Sequence, residues 1–177
     1  MATTLTSLEE YLHTSYEPDM EYLDGVLVGR NVGTPLHSFL QLIVAAFLAQ
    51  FRKTHNILPM TECRLRMGTA TRRYRIPDVT VLRTPHTKGK VAVDVPVIVV
   101  EIKSPDDNFD EVIDKCLEYS ALGIPYILVF DPDHRRMYRF ASGSLTITKS
   151  VDVALPTGSF EIVADSLFAE LDEEFPV

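Results

Sequence analysis

Val97-Ile98-Val99-Val100-Glu101-Ile102-Lys103 is the stretch on which the fold turns. Its four consecutive β-branched residues, followed by the turn signal Ser104-Pro105, read as a strand apolar on both faces, which places it inside a sheet. Side chains alternate along a strand, so Glu101 and Lys103 project to the same side. An acid and a base closing an apolar strand are costly unless paired, hydrated or metal-bound. A second carboxylate, Asp78, opens another β-rich run in Arg75-Ile76-Pro77-Asp78-Val79-Thr80-Val81. Such a carboxylate, with Glu-x-Lys closing a nearby strand, could hold a divalent cation beside a phosphodiester.

Downstream of this strand, Ser104-Pro105-Asp106-Asp107 ends it and caps a helix reaching about Leu122. Phe109, Val112, Ile113, Cys116 and Leu117 form that helix's buried stripe. Glu111, Lys115 and Tyr119 share another face at four-residue spacing. There Lys115 either pairs with Glu111, worth about 0.3–0.5 kcal/mol, or leans with Tyr119 over the carboxylates. Gly123-Ile124-Pro125 stops the helix, and Tyr126-Ile127-Leu128-Val129-Phe130 is a further apolar strand. A strand–helix–strand crossover makes parallel neighbours. Turns at Asp131-Pro132-Asp133-His134 and Ser142-Gly143 then separate β-hairpin segments at 136–140 and 145–148. The tail holds a strand near 160–163 and a short acidic helix around 166–171.

Upstream, residues 57–67 and 74–82 read as two β segments joined by Gly68-Thr69-Ala70-Thr71, a short join that predicts antiparallel pairing. The central sheet is therefore mixed. A polar loop spans 84–94, and Pro96 stands where a strand's first residue tolerates proline. Thr34-Pro35 opens a long helix, Thr as cap and Pro at the first helical position, ending near 53–56. Leu36, Phe39, Leu40, Ile43, Val44, Phe47, Leu48 and Phe51 form its core-facing stripe. His37 lies beside that stripe in the first turn, as an edge-of-core or surface histidine on one reading and a catalytic one on the other. Asp24-Gly25 between Met20-Glu21-Tyr22-Leu23 and Val26-Leu27-Val28 marks a tight hairpin. Glu21 there is either an exposed strand glutamate or a further carboxylate turned into the cleft. Ser7 and Glu10 match a capping box, starting a short helix that runs to about Thr14.

Composition narrows the function classes. With 177 residues, 46% hydrophobic and 24% charged, the chain fits one α/β domain over 1–177, with a real core and no need of disulfides. Cys63 and Cys116 have no Cys-x-x-Cys spacing and read as reduced structural thiols. The start Met1-Ala2-Thr3-Thr4-Leu5-Thr6 lacks the features of a secretion signal, and no apolar run is long enough to cross a bilayer. The expected location is the cytoplasm, with no membrane partner. A net charge of −8 argues against a general nucleic-acid coat protein, because phosphate binding rests on Lys and Arg. Arg64, Arg66, Arg72, Arg73 and Arg75 cluster before Asp78, either as a local anion-facing patch or as surface arginines of a solvated hairpin.

Pro77-Asp78, then Glu101-Ile102-Lys103, then a helix and a strand, resembles the restriction-endonuclease-like superfamily named for its PD-(D/E)XK motif. Within it the chain is most similar to the Uma family (the "Uma-two" group) of proposed restriction endonucleases. The matching pieces are Glu21-Tyr22-Leu23-Asp24-Gly25-Val26-Leu27-Val28, His37, Ile76-Pro77-Asp78-Val79 and Val99-Val100-Glu101-Ile102-Lys103-Ser104-Pro105. Lys115-x-x-x-Tyr119, Gly123-Ile124-Pro125-Tyr126 and Val129-Phe130-Asp131-Pro132 complete them. Ser38 departs from the family, which often has Gly after the histidine, while Lys103 is retained.

The resemblance implies a restriction-endonuclease-like core: a mixed central sheet flanked by helices, with extra β-hairpins toward both termini. It also implies a metal-dependent endonuclease acting on nucleic acid, DNA in the first instance. Asp78 and Glu101, with the backbone carbonyl of Ile102, would ligate Mg²⁺ or Mn²⁺. The ion would polarise the scissile phosphate and acidify an attacking water. Lys103 would orient that water or stabilise transition-state charge. Glu21 and His37 would complete the outer site, and Lys115 and Tyr119 would hold phosphate oxygens. Superfamily members often act as dimers, so a homodimer is also implied. Two other readings stay open: a nuclease-shaped module that binds nucleic acid or a protein without turnover, and a small-molecule phosphohydrolase.

Overall fold

The structure is a computed structural model that describes residues 5–31, 33–70 and 72–176. The N-terminal reading at Met1-Ala2-Thr3-Thr4 and the last residue of the expected turn, Thr71, lie outside the described residues. The opening segment is helix α1 (Leu8–His13), whose cap Ser7 accepts a hydrogen bond from the Glu10 N–H. Strands β1 (Met20–Leu23) and β2 (Val26–Gly29) pair antiparallel about Asp24-Gly25. Both turn residues have positive φ, +53° and +103°, as the two-residue turn that matches strand twist demands.

Helix α2 (Pro35–Ala49) starts where expected, with Thr34 accepting from the His37 N–H at 3.2 Å. It ends earlier than the expected 53–56. From Gln50 the backbone switches to i→i+3 bonds, Gln50 to Phe47, Phe51 to Leu48 and Arg52 to Ala49, the tightening common at helix C-termini.

The two β segments expected at 57–67 and 74–82 each break in two. They become β3 (Ile57–Thr61), β4 (Leu65–Arg66), β5 (Arg73–Arg75) and β6 (Val79–Arg83). Pairing is antiparallel throughout, β3 with β6 and β4 with β5. The break lies at Glu62, which takes φ +50°, and, on the other segment, at Pro77, which has no N–H to give a ladder. One bent hairpin thus enters two sheets, a four-stranded one ordered β2-β1-β5-β4 and the central one. Asp78 sits at the bend.

The organising strand is β7 (Ile98–Ile102), buried at every position. It is followed by α3 (Phe109–Ala121), β8 (Tyr126–Asp131), β9 (Arg136–Ala141) and β10 (Ser144–Thr148). The central sheet runs β10-β9-β8-β7-β6-β3; β7 and β8 are parallel and its other pairs antiparallel. The cap of α3 is Asn108, accepting from the Asp110 N–H, rather than Ser104–Asp107. Asp107 instead accepts from the Ser104 N–H at 2.7 Å and closes the turn before the helix. Leu117, expected in the buried stripe, is 45% exposed, and Tyr119 is fully buried in its stead. β11 (Ser150–Leu155) and β12 (Gly158–Val163) form a separate hairpin, and α4 (Ala164–Glu174) follows. The sequence reading placed only the second of these strands.

Two cores sandwich the central sheet. Ile98, Val100 and Ile102 face α2, α4 and the β11–β12 hairpin. Val99 and its row face α3, and Glu101, two residues on, continues that row. A third cluster of Tyr11, Tyr22 and Tyr74 glues α1 to the four-stranded sheet. No helix of the described residues is long and apolar enough to cross a membrane.

Candidate active site

The register of β6 against β7 sets Val79 opposite Val100, and one further step sets Asp78 opposite Glu101. Adjacent cross-strand residues stand about 4.5–5.5 Å apart at Cβ. The tie is also direct: Asp78 Oδ2 accepts from the Ile102 N–H at 2.6 Å. Both carboxylates line one cleft of about 270 Å³, together with Ile102, Glu21, His37, Arg30, Arg75 and Lys115. Asp107, Glu111 and Asp114 add an acidic rim from the α3 side.

Asp78 is buried and well supplied with donors. Arg30 Nη2 lies 2.8 Å from Oδ1 and His37 Nε2 lies 3.4 Å from Oδ2. Gln41 Nε2 donates to its backbone oxygen at 2.9 Å. His37, 7% exposed, is neither a surface residue nor remote from the acids. Burial disfavours its charged form, but the hydrogen bond and charge of Asp78 outweigh that and raise its pKa.

Glu101 receives the Tyr119 hydroxyl at 2.5 Å and Lys115 Nζ at 3.4 Å. Burial pushes its pKa up, Lys115 pulls it down, and the charges of Asp78 and Glu21 push it up again; the net direction is upward. Lys115 therefore pairs with Glu101, and at 4.0 Å with Glu21, rather than with Glu111. Its pKa is raised, chiefly by Glu101. Tyr119, buried and donating to a carboxylate, is also held well above the ordinary phenol value.

Glu21 is buried too, which settles its two readings against the exposed strand residue. Oε2 accepts from Arg75 Nη1 at 2.6 Å and Oε1 from the Ile76 N–H at 3.0 Å. Arg75 also forks onto Glu118 at 2.6 and 3.0 Å. The arginine cluster is thus largely spent inside the protein: Arg64 meets Asp19 at 2.5 Å and Arg73 meets Glu118 at 2.9 Å.

Lys103 shares the face of Glu101 but stands apart from the main cleft. Its Nζ donates to the Ser104 carbonyl at 3.1 Å and lies 5.7 Å from the Phe109 ring centroid. It lines a smaller recess that shares Glu101, Ile102, Glu111 and Lys115 with the cleft. Among the described residues, no group of three or more His, Cys, Asp or Glu side chains is placed as a metal cage. Arg30 and the internal role of Arg75 are added by the structure. For Arg75, a charged residue between apolar Tyr74 and Ile76 was the available signal; for Arg30 there was none.

No match is found among curated proteins. Among solved structures, the chain is similar to one from Anabaena variabilis ATCC 29413 described as "a putative nuclease belonging to DUF820". The TM-score is 0.78 at 20% identity, over 94% of this chain and 99% of that one; a likeness at that identity speaks for the fold. Residues 8–163 match the family Uma2, described as "Putative restriction endonuclease", and the chain belongs to that family.

Proposed function

We propose that the protein is a Mg²⁺- or Mn²⁺-dependent endonuclease that hydrolyses phosphodiester bonds of DNA. Family membership supports a nuclease. The observation that carries the finer reading is that Asp78 and Glu101, one step beyond the Val79–Val100 pair, line one polar cleft. Two carboxylates and the Ile102 carbonyl are a hard oxygen set of the kind a small divalent cation accepts while keeping several waters. Glu101 fits as well: burial first, and then the charges of Asp78 and Glu21, push its pKa up, and a carboxyl so placed gains from an added cation. Such an ion would supply charge for the scissile phosphate and acidity for the attacking water.

The chain's own groups then divide the work. Lys115 and the Tyr119 hydroxyl orient Glu101 and offset part of the upward push of burial on its carboxyl. His37 steadies the Asp78 carboxylate. Lys103, which lines the adjoining recess beside Glu101, would orient the water or stabilise charge on the reacting phosphate once its Nζ leaves the Ser104 carbonyl. Glu21, fixed by Arg75 and the Ile76 N–H, deepens the negative potential that draws the cation in. Nicking of supercoiled plasmid with Mg²⁺ or Mn²⁺ tests the proposal. Cutting should depend on the cation and fall by roughly 100-fold or more in Asp78→Asn and in Glu101→Gln. Undiminished cutting by both folded variants, or none by wild type with any divalent cation, overturns it.

One observation favours a second reading, a nuclease-shaped binding module without turnover. Asp78 and Glu101 are already matched by internal donors, and the cleft carries an acidic rim. Nucleic-acid binding unchanged in Asp78→Asn, with no cutting, is the result expected of such a module.

A further inference from the structure

Arg30 follows β2 and points its guanidinium into the cleft, with its side chain 17% exposed. Nη2 lies 2.8 Å from Asp78 Oδ1, and Nη1 lies 3.7 Å from Glu62 Oε1 at the outer edge. Glu101 and Glu21 also act on its charge. Lys115 serves Glu101 and Glu21 and Arg75 serves Glu21, whereas Arg30 sits on Asp78, on an oxygen that a divalent ion would need. A guanidinium and a divalent cation repel each other strongly at such separations, so both cannot share that oxygen at full strength. The far side of the Arg30 fork faces Glu62, which is 58% exposed, and open cleft.

We propose that Arg30 is a substrate-binding residue parked on Asp78: it fills the place of a divalent cation until the ion displaces it, and its freed guanidinium then binds a phosphate oxygen of the nucleic acid. The inference rests on the nuclease reading above. A planar fork suits both tasks, since carboxylate and phosphate offer similar paired oxygens. Unloaded, the cleft keeps its carboxylates compensated, because burying them unpaired would be costly. Loaded, the same arginine is released on the side from which a polyanion must approach.

The test is Mn²⁺ binding without substrate, read from the electron paramagnetic resonance signal of free Mn²⁺, on wild type, Arg30→Gln, Arg30→Lys and Asp78→Asn. Removing the competitor should tighten Mn²⁺ binding about tenfold or more in Arg30→Gln, the equivalent of one charged hydrogen bond. Arg30→Lys should fall between, because an ammonium meets the carboxylate without the fork. The same Arg30→Gln protein should bind a fluorescent oligonucleotide in Ca²⁺ about tenfold more weakly than wild type. Mn²⁺ affinity that is unchanged or weaker in the Arg30 variants, while Asp78→Asn still abolishes it, overturns the proposal and leaves the nuclease reading standing. Tightened Mn²⁺ binding with undiminished oligonucleotide binding overturns the phosphate-binding role. If no protein binds Mn²⁺ through Asp78, both readings fall. Should Arg30→Gln not fold, Arg30→Lys gives the sign of the effect.

Discussion

Replacing Arg75 with Met tests whether the interior charge network holds the fold together. The guanidinium is buried and is shared by Glu21 and Glu118 through contacts of 2.6 to 3.0 Å. Met keeps most of the hydrocarbon but removes the charge. Glu118 is 21% exposed and can be rehydrated, whereas Glu21, 2% exposed, keeps only the Ile76 N–H and Lys115 at 4.0 Å. Stranding one member of a buried ion pair costs about 3–5 kcal/mol. For a domain of this size that lowers the melting temperature by roughly 6–20 °C. Urea unfolding of Arg75→Met, Glu21→Gln and the double variant forms the cycle that isolates the pair. Because the loss is mostly the stranded acid, the double variant should recover more than half of it. A loss below about 1 kcal/mol in Arg75→Met, the range of an exposed pair, would refute the reasoning, since Glu21 would then be reaching water.

Three other perturbations probe the cleft. Tyr119→Phe removes the 2.5 Å hydrogen bond to Glu101, a bond that lowers the Glu101 pKa. The variant should lose about 1.5–3 kcal/mol in urea unfolding, and the pH above which it cuts DNA with Mn²⁺ should move upward. The His37 pKa is raised in the fold, so its contribution is fully present below the ordinary histidine value and lost as pH rises through the folded one. In EDTA, the stability gap between wild type and His37→Gln should be widest near pH 5.5 and shrink by pH 8.5; a gap that widens with pH contradicts the Asp78 contact. A Cβ at Gly33 would stand 2.9 Å from His37 Nδ1 and 3.2 Å from Ser38 Oγ. Gly33→Ala should therefore shift the His37 ring, seen as a changed imidazole chemical shift and pKa by NMR, whereas the more exposed Gly29, with nothing within 4 Å, should accept Ala silently.

The parts of the molecule legible in its sequence are those where local chemistry and tertiary environment agree. Val97 to Val100 is apolar on both faces because both faces are covered, and Asp24-Gly25 and Thr34-Pro35 are punctuation with one backbone meaning. Asp78, Glu101 and His37 were visible because each is a polar residue at the edge of an apolar element. The bend at Glu62 and Pro77 was not legible, since a continuous β pattern runs through it and only pairing with two different sheets reveals the break. The exchange of Leu117 for Tyr119 has a similar origin. Periodicity ranks leucine as the more apolar, but the Tyr119 hydroxyl finds Glu101 and can be buried without loss. Arg30 escaped notice because its partner Asp78 lies 48 residues away, a distance over which side-chain chemistry alone names no partner.

Arg30, Arg64, Arg73, Arg75 and Lys115 are all engaged with acids of the same chain. These cations are taken up by the chain's own acids, and the net surplus of −8 confronts an approaching polyanion. Simple salt shortens the reach of that repulsion, to about 10 Å at 0.1 M. Encounter with a nucleic acid should accordingly quicken from low to moderate ionic strength, the reverse of the slope that proteins with basic grooves display.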